Sequence, residues 1–146
     1  MIDCFDTSVV VASLVASHPH HGASLGALSM AEVRGAKPRI CSHVLTETFA
    51  ALTRLPLRPQ ISAAAAEVML THEVVARFKV EPVLPGDELA AVRMVVAIGR
   101  AGSIVHDALH VAVARRVGAS RLWTFNFAHF EPFWDGEHVR VPTEPK

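Results

Sequence analysis

The sequence predicts an α/β sandwich with a mainly parallel sheet, and three observations carry that expectation. Short apolar segments of strand character alternate with helical stretches, the rhythm of β-α-β units. The chain has 146 residues, 51% of them hydrophobic and 19% charged, which suits a single domain spanning 1–146 around one core. No internal repeat or linker divides it, and the only biased tract is Ala63 to Ala66.

The elements follow in order. Ile2 to Phe5 reads as a strand that ends at Asp6, after which Thr7 or Ser8 can cap a helix running through Val9 to Ala16. His18 to Gly22 breaks that helix. A second one, from Ala23 to Val33, is stopped by Gly35 and Pro38. Arg39 to Cys41 is a brief strand. Ser42 stands where it can cap the next helix, in which Val44, Leu45, Phe49, Leu52 and Leu55 recur with the helical period until Pro56 and Pro59. Ser62 to His72 is an alanine-rich helix, Arg77 to Leu84 alternates as a strand, Pro85 and Gly86 turn, and Glu88 to Arg100 is helical. Gly102 and Ser103 lead into a helix from Val105 to Val117, closed by Gly118. Arg121 to Phe125 is a late strand with Asn126 at its end, and Val139 to Val141 is one more edge strand.

Composition excludes several classes of function. A disordered tail needs low hydrophobicity and high net charge, whereas this chain is neutral and apolar. Formal net charge is zero, so bulk basicity cannot coat nucleic acid. The uncharged stretch from Thr7 to Ala31 is interrupted by His18, Pro19, His20, His21 and Gly22, which breaks any membrane span. Asp3 and Asp6 occupy the place of a signal peptide's basic region, and the expectation is a soluble, cytoplasmic protein. Cys4 and Cys41 form neither a disulfide framework nor a zinc knuckle and read as buried small hydrophobes. The surplus of apolar residues hints at a surface patch and a partner.

In a parallel sheet the functional crevice lies beyond the carboxyl ends of the strands. Asp6 and Asn126 stand at two such ends, Asp107 lies in the first turn of the helix before the late strand, and Glu47 lies in the first half of the helix after the second strand. All four side chains can converge on one edge. Three carboxylates and an amide are hard oxygen donors that suit Mg²⁺ or Mn²⁺ rather than zinc. Each residue alone also has an ordinary explanation: a helix cap for Asp6, a dipole partner for Asp107, a solvated face for Glu47, a turn for Asn126.

The ordered set resembles the PIN-domain ribonucleases, and more narrowly the VapC-type toxins of toxin-antitoxin pairs. The resemblance is carried by Asp6-Thr7-Ser8 after an apolar strand, by Thr46-Glu47 in a helix beginning Ser42-His43-Val44-Leu45, by His106-Asp107-Ala108-Leu109-His110, and by the segment Thr124 to Phe130. It implies a PIN-like α/β/α sandwich around a sheet of about five parallel strands. It also implies an Mg²⁺- or Mn²⁺-dependent endoribonuclease in which Asp6, Glu47 and Asp107 bind the metal and Asn126 stands where many members have a fourth aspartate. An amide supplies no charge, so a tightly held second ion is not expected: either one ion acts alone or a second joins only with the RNA phosphate. Thr7, Ser8 and Thr124 are candidates for hydrogen bonds to these carboxylates. The implied partners are an RNA substrate, a cognate antitoxin and a second copy of the chain. The helices at Ser62 to His72 and Val9 to Ala16 are candidate faces for the homodimer and the antitoxin groove, with core packing as the ordinary alternative.

Other readings compete. His106 and His110 are four apart, and His106-Asp107-x-x-His110 partly matches the HExxH zinc helix or an HD-type hydrolase. A non-catalytic interaction module of the same fold would keep the apolar faces without needing the acids. His18, His20 and His21 read as a solvated turn. Arg54, Arg58, Arg115 and Arg116 are candidate RNA or partner contacts, because the guanidinium fork matches phosphate. Trp123 and Trp134 read as core or interface.

Overall fold

In the computed structural model, which describes residues 1–145, the apolar segment Asp3–Phe5 forms β1 at the centre of a five-stranded sheet. The strand order is β3-β2-β1-β4-β5, with β2 at Arg39–Cys41, β3 at Lys79–Glu81, β4 at Arg121–Trp123 and β5 at Val139–Arg140; every neighbouring pair is parallel. Parallel strands need long crossovers, and helices supply them. α1 (Thr7–Leu14) and α2 (His21–Val33) link β1 to β2. α3 (His43–Arg54), α4 (Ala63–Met69), a π-helical turn (Leu70–Val74) and α5 (Val75–Arg77) link β2 to β3. α6 (Pro85–Ala97) and α7 (Ile104–Arg116) link β3 to β4, and α8 (Phe127–Phe130) precedes β5.

Alternation along the strands divides the core into two layers. Cys4, Leu122 and Val139 pack with Ala91 and Val95 of α6 and with Ala108 and Val111 of α7. Phe5 and Trp123 face the other side, with Val9 and Val10 of α1, Leu28 of α2 and Val44 of α3. The Phe5 and Trp123 rings stack at 6.3 Å, and burying a side chain the size of Phe5 contributes about 1.5–3 kcal/mol. The result is the α/β/α sandwich that the sequence predicts.

Several local expectations change. The first helix is capped by Asp6, whose carboxylate accepts from Val9 N, and not by Thr7 or Ser8. Ser42 makes no capping bond; its Oγ accepts from Val83 N at 3.1 Å and ties α3 to the exit of β3. The alanine-rich helix does not stop at His72 but continues through a π turn to Arg77. Pro85 opens α6, where its missing N–H costs nothing, so Pro85 and Gly86 are not a separate turn. Asp87 accepts from Leu84 N at 2.9 Å there. Phe125 has already left the strand, and α8 follows, an element too short for periodicity to reveal.

Packing also reassigns residues offered as contacts. Val9, Val10, Val11 and Ala12 of α1 are core and cannot present a partner face. The exposed large apolar side chains lie elsewhere, among them Leu89, Val92 and Val96 on α6 and Val68 on α4. Arg116 is committed within the molecule, with Nε donating to buried Asp87 at 2.8 Å and Nη2 to Pro82 O at 2.7 Å. Trp123 is core, and Trp134 stacks on His138. Both cysteines are free and buried. Among the described residues, no helix is long and apolar enough to cross a membrane.

Candidate active site

The chain leaves β1 toward β2 and β3 on one side, then returns to place β4 and β5 on the other. The crevice beyond the ends of β1 and β4 is therefore the topological switch point, where open parallel sheets bind ligands. Asp6 is the first residue after β1 and Thr124 the first after β4.

Asp6 is buried, and two hydroxyls fix its carboxylate. Ser8 Oγ donates to Oδ1 at 2.6 Å and Thr124 Oγ1 donates to Oδ2 at 2.6 Å. Each hydroxyl then accepts a backbone N–H from the segment leaving β4: Phe125 N reaches Ser8 Oγ at 3.0 Å, and Asn126 N reaches Thr124 Oγ1 at 2.9 Å. Thr7 makes no such bond, and its buried Oγ1 has no partner. Burial raises the Asp6 pKa; the bonds from Ser8 and Thr124, the charge of His110 and the Val9 amide oppose it without cancelling it.

Asp107 projects from the first turn of α7 into a small cleft of about 160 Å³ that it shares with Arg100, Ser103 and His129. His129 Nδ1 lies 3.6 Å from its Oδ2. Its pKa is raised by burial, countered by His129 and His110, and raised further by the charges of Asp6 and Glu47. Glu47, on α3, accepts from His110 Nε2 at 2.9 Å. Burial would raise Glu47, but the bond and charge of His110, helped by His43 and His106, hold it below its ordinary value.

His110 is the residue that reading the acids alone leaves out of the site. It lies one helical turn beyond Asp107 and is buried, with Nδ1 3.5 Å from Cys41 Sγ and the ring edge-on to Phe130. Burial alone would depress its pKa, yet Cys41 and Glu47 lift it well above the ordinary histidine value. His110 favours the ionised forms of Asp6, Glu47 and Asp107 alike, so the three carboxylates are coupled through one imidazole. The sequence signal was the spacing of Asp107 and His110, which puts both on one helix face.

The structure thus brings Asp6, Glu47 and Asp107 into mutual electrostatic range around His110. Asn126 lines a neighbouring cavity of about 490 Å³, with Ser8, His18, His20 and Phe125. It occupies the N-cap position of α8, but its side chain makes no capping bond. Among the described residues, no three His, Cys, Asp or Glu side chains stand close enough to hold an ion jointly. The donor chemistry fits a hard divalent cation nonetheless. Mg²⁺ is commonly held by one or two carboxylates with water and substrate phosphate completing its shell, and the charge of Asp6 raises the Asp107 pKa, a repulsion that a cation would relieve. A zinc helix is not supported by this geometry: His110 is engaged with Glu47 and Cys41, whereas exposed His106 lines an apolar cleft with His43 and Glu88. The sheet also separates the fold from the all-helical HD hydrolases.

Comparison with known proteins agrees with this architecture. The profile of the PIN domain family matches residues 4–131. Among solved structures, VapC20 of Mycobacterium tuberculosis, described as a Sarcin-Ricin loop cleaving toxin, is 24% identical with a TM-score of 0.64, over 87% of this chain and 92% of that one. VapBC2 of Rickettsia felis, solved with a promoter DNA fragment, is 16% identical with a TM-score of 0.67, over 97% and 98% of the two chains. A toxin-antitoxin complex from Klebsiella pneumoniae is 16% identical with a TM-score of 0.66, over 98% and 99%. At these identities the likeness is one of fold. No curated protein sequence matches the chain significantly.

Proposed function

The chain belongs to the PIN-domain family, and from that premise we propose that it is a metal-dependent endoribonuclease serving as the toxin of a type II toxin-antitoxin pair. The observation that carries the reading is Asp6: a buried carboxylate at the switch point, with both oxygens oriented by hydroxyls and with Asp107 and Glu47 in electrostatic range. A purely structural cap needs neither the second hydroxyl nor the neighbouring acids.

Asp6 and Asp107 would hold Mg²⁺ or Mn²⁺, with Glu47 acting on the site through its bond to His110. A bound divalent cation supplies Lewis-acid charge that acidifies water and neutralises a phosphodiester. The chain's own residues do the positioning. Ser8 and Thr124 keep the Asp6 carboxylate from rotating, and His110 offsets the repulsion that three acids would present to an RNA backbone. Hydrolysis would leave a 5′-phosphate and a 3′-hydroxyl. The exposed apolar stripe of Leu89, Val92 and Val96 on α6 offers a face to an antitoxin segment or a second copy, which α1 cannot do.

The test is incubation of the purified chain with a structured RNA pool and Mg²⁺ or Mn²⁺. Cleavage abolished by EDTA, by Asp6→Asn and by Asp107→Asn is expected; cleavage unaffected by these changes would sink the assignment. Growth arrest on induction, relieved by a small neighbouring gene product, tests the toxin role.

A further inference from the structure

The cavity that Asn126 lines adjoins the acidic site, shares Ser8 with it, and adds aromatic rings that the acidic site lacks. Its walls include two rings already in contact: His20 and Phe125 stack at 4.4 Å with planes 19° apart. His18 stands beside them, its ring 5.7 Å from that of His20. The turn is solvent-exposed at Pro19 and His20, as its composition suggests, yet it is held in place by its own side chains. His18 Nδ1 accepts from His20 N at 3.0 Å, and the His21 ring nitrogen bonds Ala12 O at 2.8 Å, so the histidines are anchored to one another and to α1. Val11 and Ala51 give the cavity an apolar floor, and none of the residues lining it is acidic.

We infer that this cavity is a nucleobase subsite, in which His20 on Phe125 forms the stacking platform and the Asn126 amide reads the edge of one unpaired base of the RNA. The inference rests on the ribonuclease reading and extends it to sequence preference. A stacked aromatic pair offers a flat face to any base, and a side-chain amide carries both a donor and an acceptor for a base edge. The volume, about 490 Å³, lies within the roughly 300–1,000 Å³ typical of small-ligand sites. Connection to the acidic site is direct. Ser8 lines the cavity, donates to Asp6 and accepts from Phe125 N, so the cavity and the carboxylate share one side chain. A base within a duplex cannot enter, so the occupant comes from a single-stranded segment or a splayed loop.

This gives Asn126 a positive reason to be an amide. An aspartate there would present only acceptors at neutral pH and would add like charge beside the phosphate backbone.

The experiment is a titration of the isotopically labelled full chain with AMP, GMP, CMP, UMP and ribose 5-phosphate in EDTA, where no turnover occurs, followed by NMR. Saturable shifts at the His20 ring, Phe125 and the Asn126 side-chain amide, differing among the four bases and absent with ribose 5-phosphate, are expected. His20→Ala, at an exposed position, should weaken binding at least about fivefold, the lower end for loss of one base–aromatic stack, and His20→Phe should restore it. Shifts confined to other surfaces, or identical shifts with ribose 5-phosphate, would overturn the inference. Mapping of cut sites gives the second readout: His20→Ala should broaden the base preference next to the cut, and an unchanged preference counts against the subsite. If the wild-type chain cuts no RNA, the nuclease reading falls, and the nucleotide titration still decides the cavity on its own.

Discussion

Thr124 and Asp6, 118 positions apart in the chain, are joined by a hydrogen bond of 2.6 Å that locks the exit of β4 to the exit of β1. The same Thr124 oxygen accepts from Asn126 N, so one hydroxyl orients a carboxylate and satisfies a backbone donor. Thr124→Val keeps the shape and removes both bonds. It should destabilise the fold by about 1–3 kcal/mol, the cost of leaving a buried polar group unsatisfied. RNA cleavage should fall at least tenfold, and Thr124→Ser should recover most of both losses. Denaturant unfolding and cleavage rates of the two variants check this; a valine variant with wild-type activity would remove Thr124 from the site.

Asp6→Asn separates the catalytic from the structural role of the carboxylate. In the absence of metal, the raised Asp6 pKa means that the folded state binds more protons than the unfolded state between the ordinary value of 3.8 and the raised one. The Asp6 contribution to stability therefore declines as pH rises through that window, and a neutral amide escapes the penalty. Metal-free Asp6→Asn should melt at or above the wild-type temperature at neutral pH, while the stabilisation given by Mn²⁺ disappears. Asp107 shifts in the same direction, so wild-type metal affinity should weaken on acidification at a pH above that of ordinary carboxylates. Thermal melts with and without Mn²⁺ across pH 4–8 read both effects.

The Glu47–His110 pair combines both senses: His110 shifts in the same direction as Asp6, and Glu47 in the opposite one. The histidine's raised pKa contributes stability that is fully present below the unfolded value near 6.5 and lost as pH rises through the folded value. The lowered pKa of Glu47 contributes stability present above about 4.5 and lost as pH falls through its folded value. Glu47→Gln should bring the His110 pKa back toward the ordinary value, because the amide cannot offer a charge. Ring NMR titration shows this directly, and an unmoved His110 would mean that Glu47 is not its counter-charge.

Cys4 offers a check on the core that is independent of the site. Burial pushes its thiol up to about 12, so the nucleophilic thiolate is scarce at neutral pH. In the native protein Cys4 should resist maleimide for hours and react within minutes in strong denaturant. Mass spectrometry of the labelled peptides gives the rates, and fast native labelling would show that the centre of the sheet opens readily.

Much of the fold was legible because it is written in local signals. Arg39 to Cys41 is a strand at the bounds that composition suggests, and Asp6 was singled out by lying between an apolar run and a helix. What stayed hidden depends on partners far along the chain. Ser42 looks like a cap until Val83 claims its oxygen, Arg116 looks like a free cation until Asp87 buries beside it, and His110 gains its charge only where Cys41 and Glu47 meet it. Asn126 illustrates the limit most clearly: its place in the order of acids was visible, and the cavity that it lines was not.

β1 is only three residues long, and that brevity constrains how the protein can change. A slip of one position would turn Phe5 into the layer that holds Cys4 and would carry Asp6 away from the Thr124 hydroxyl at the end of β4. Packing of the core and placement of the carboxylate are therefore the same event. Partly folded molecules of this chain should be inert instead of loosely active, and a cell making it would meet either the finished site or none.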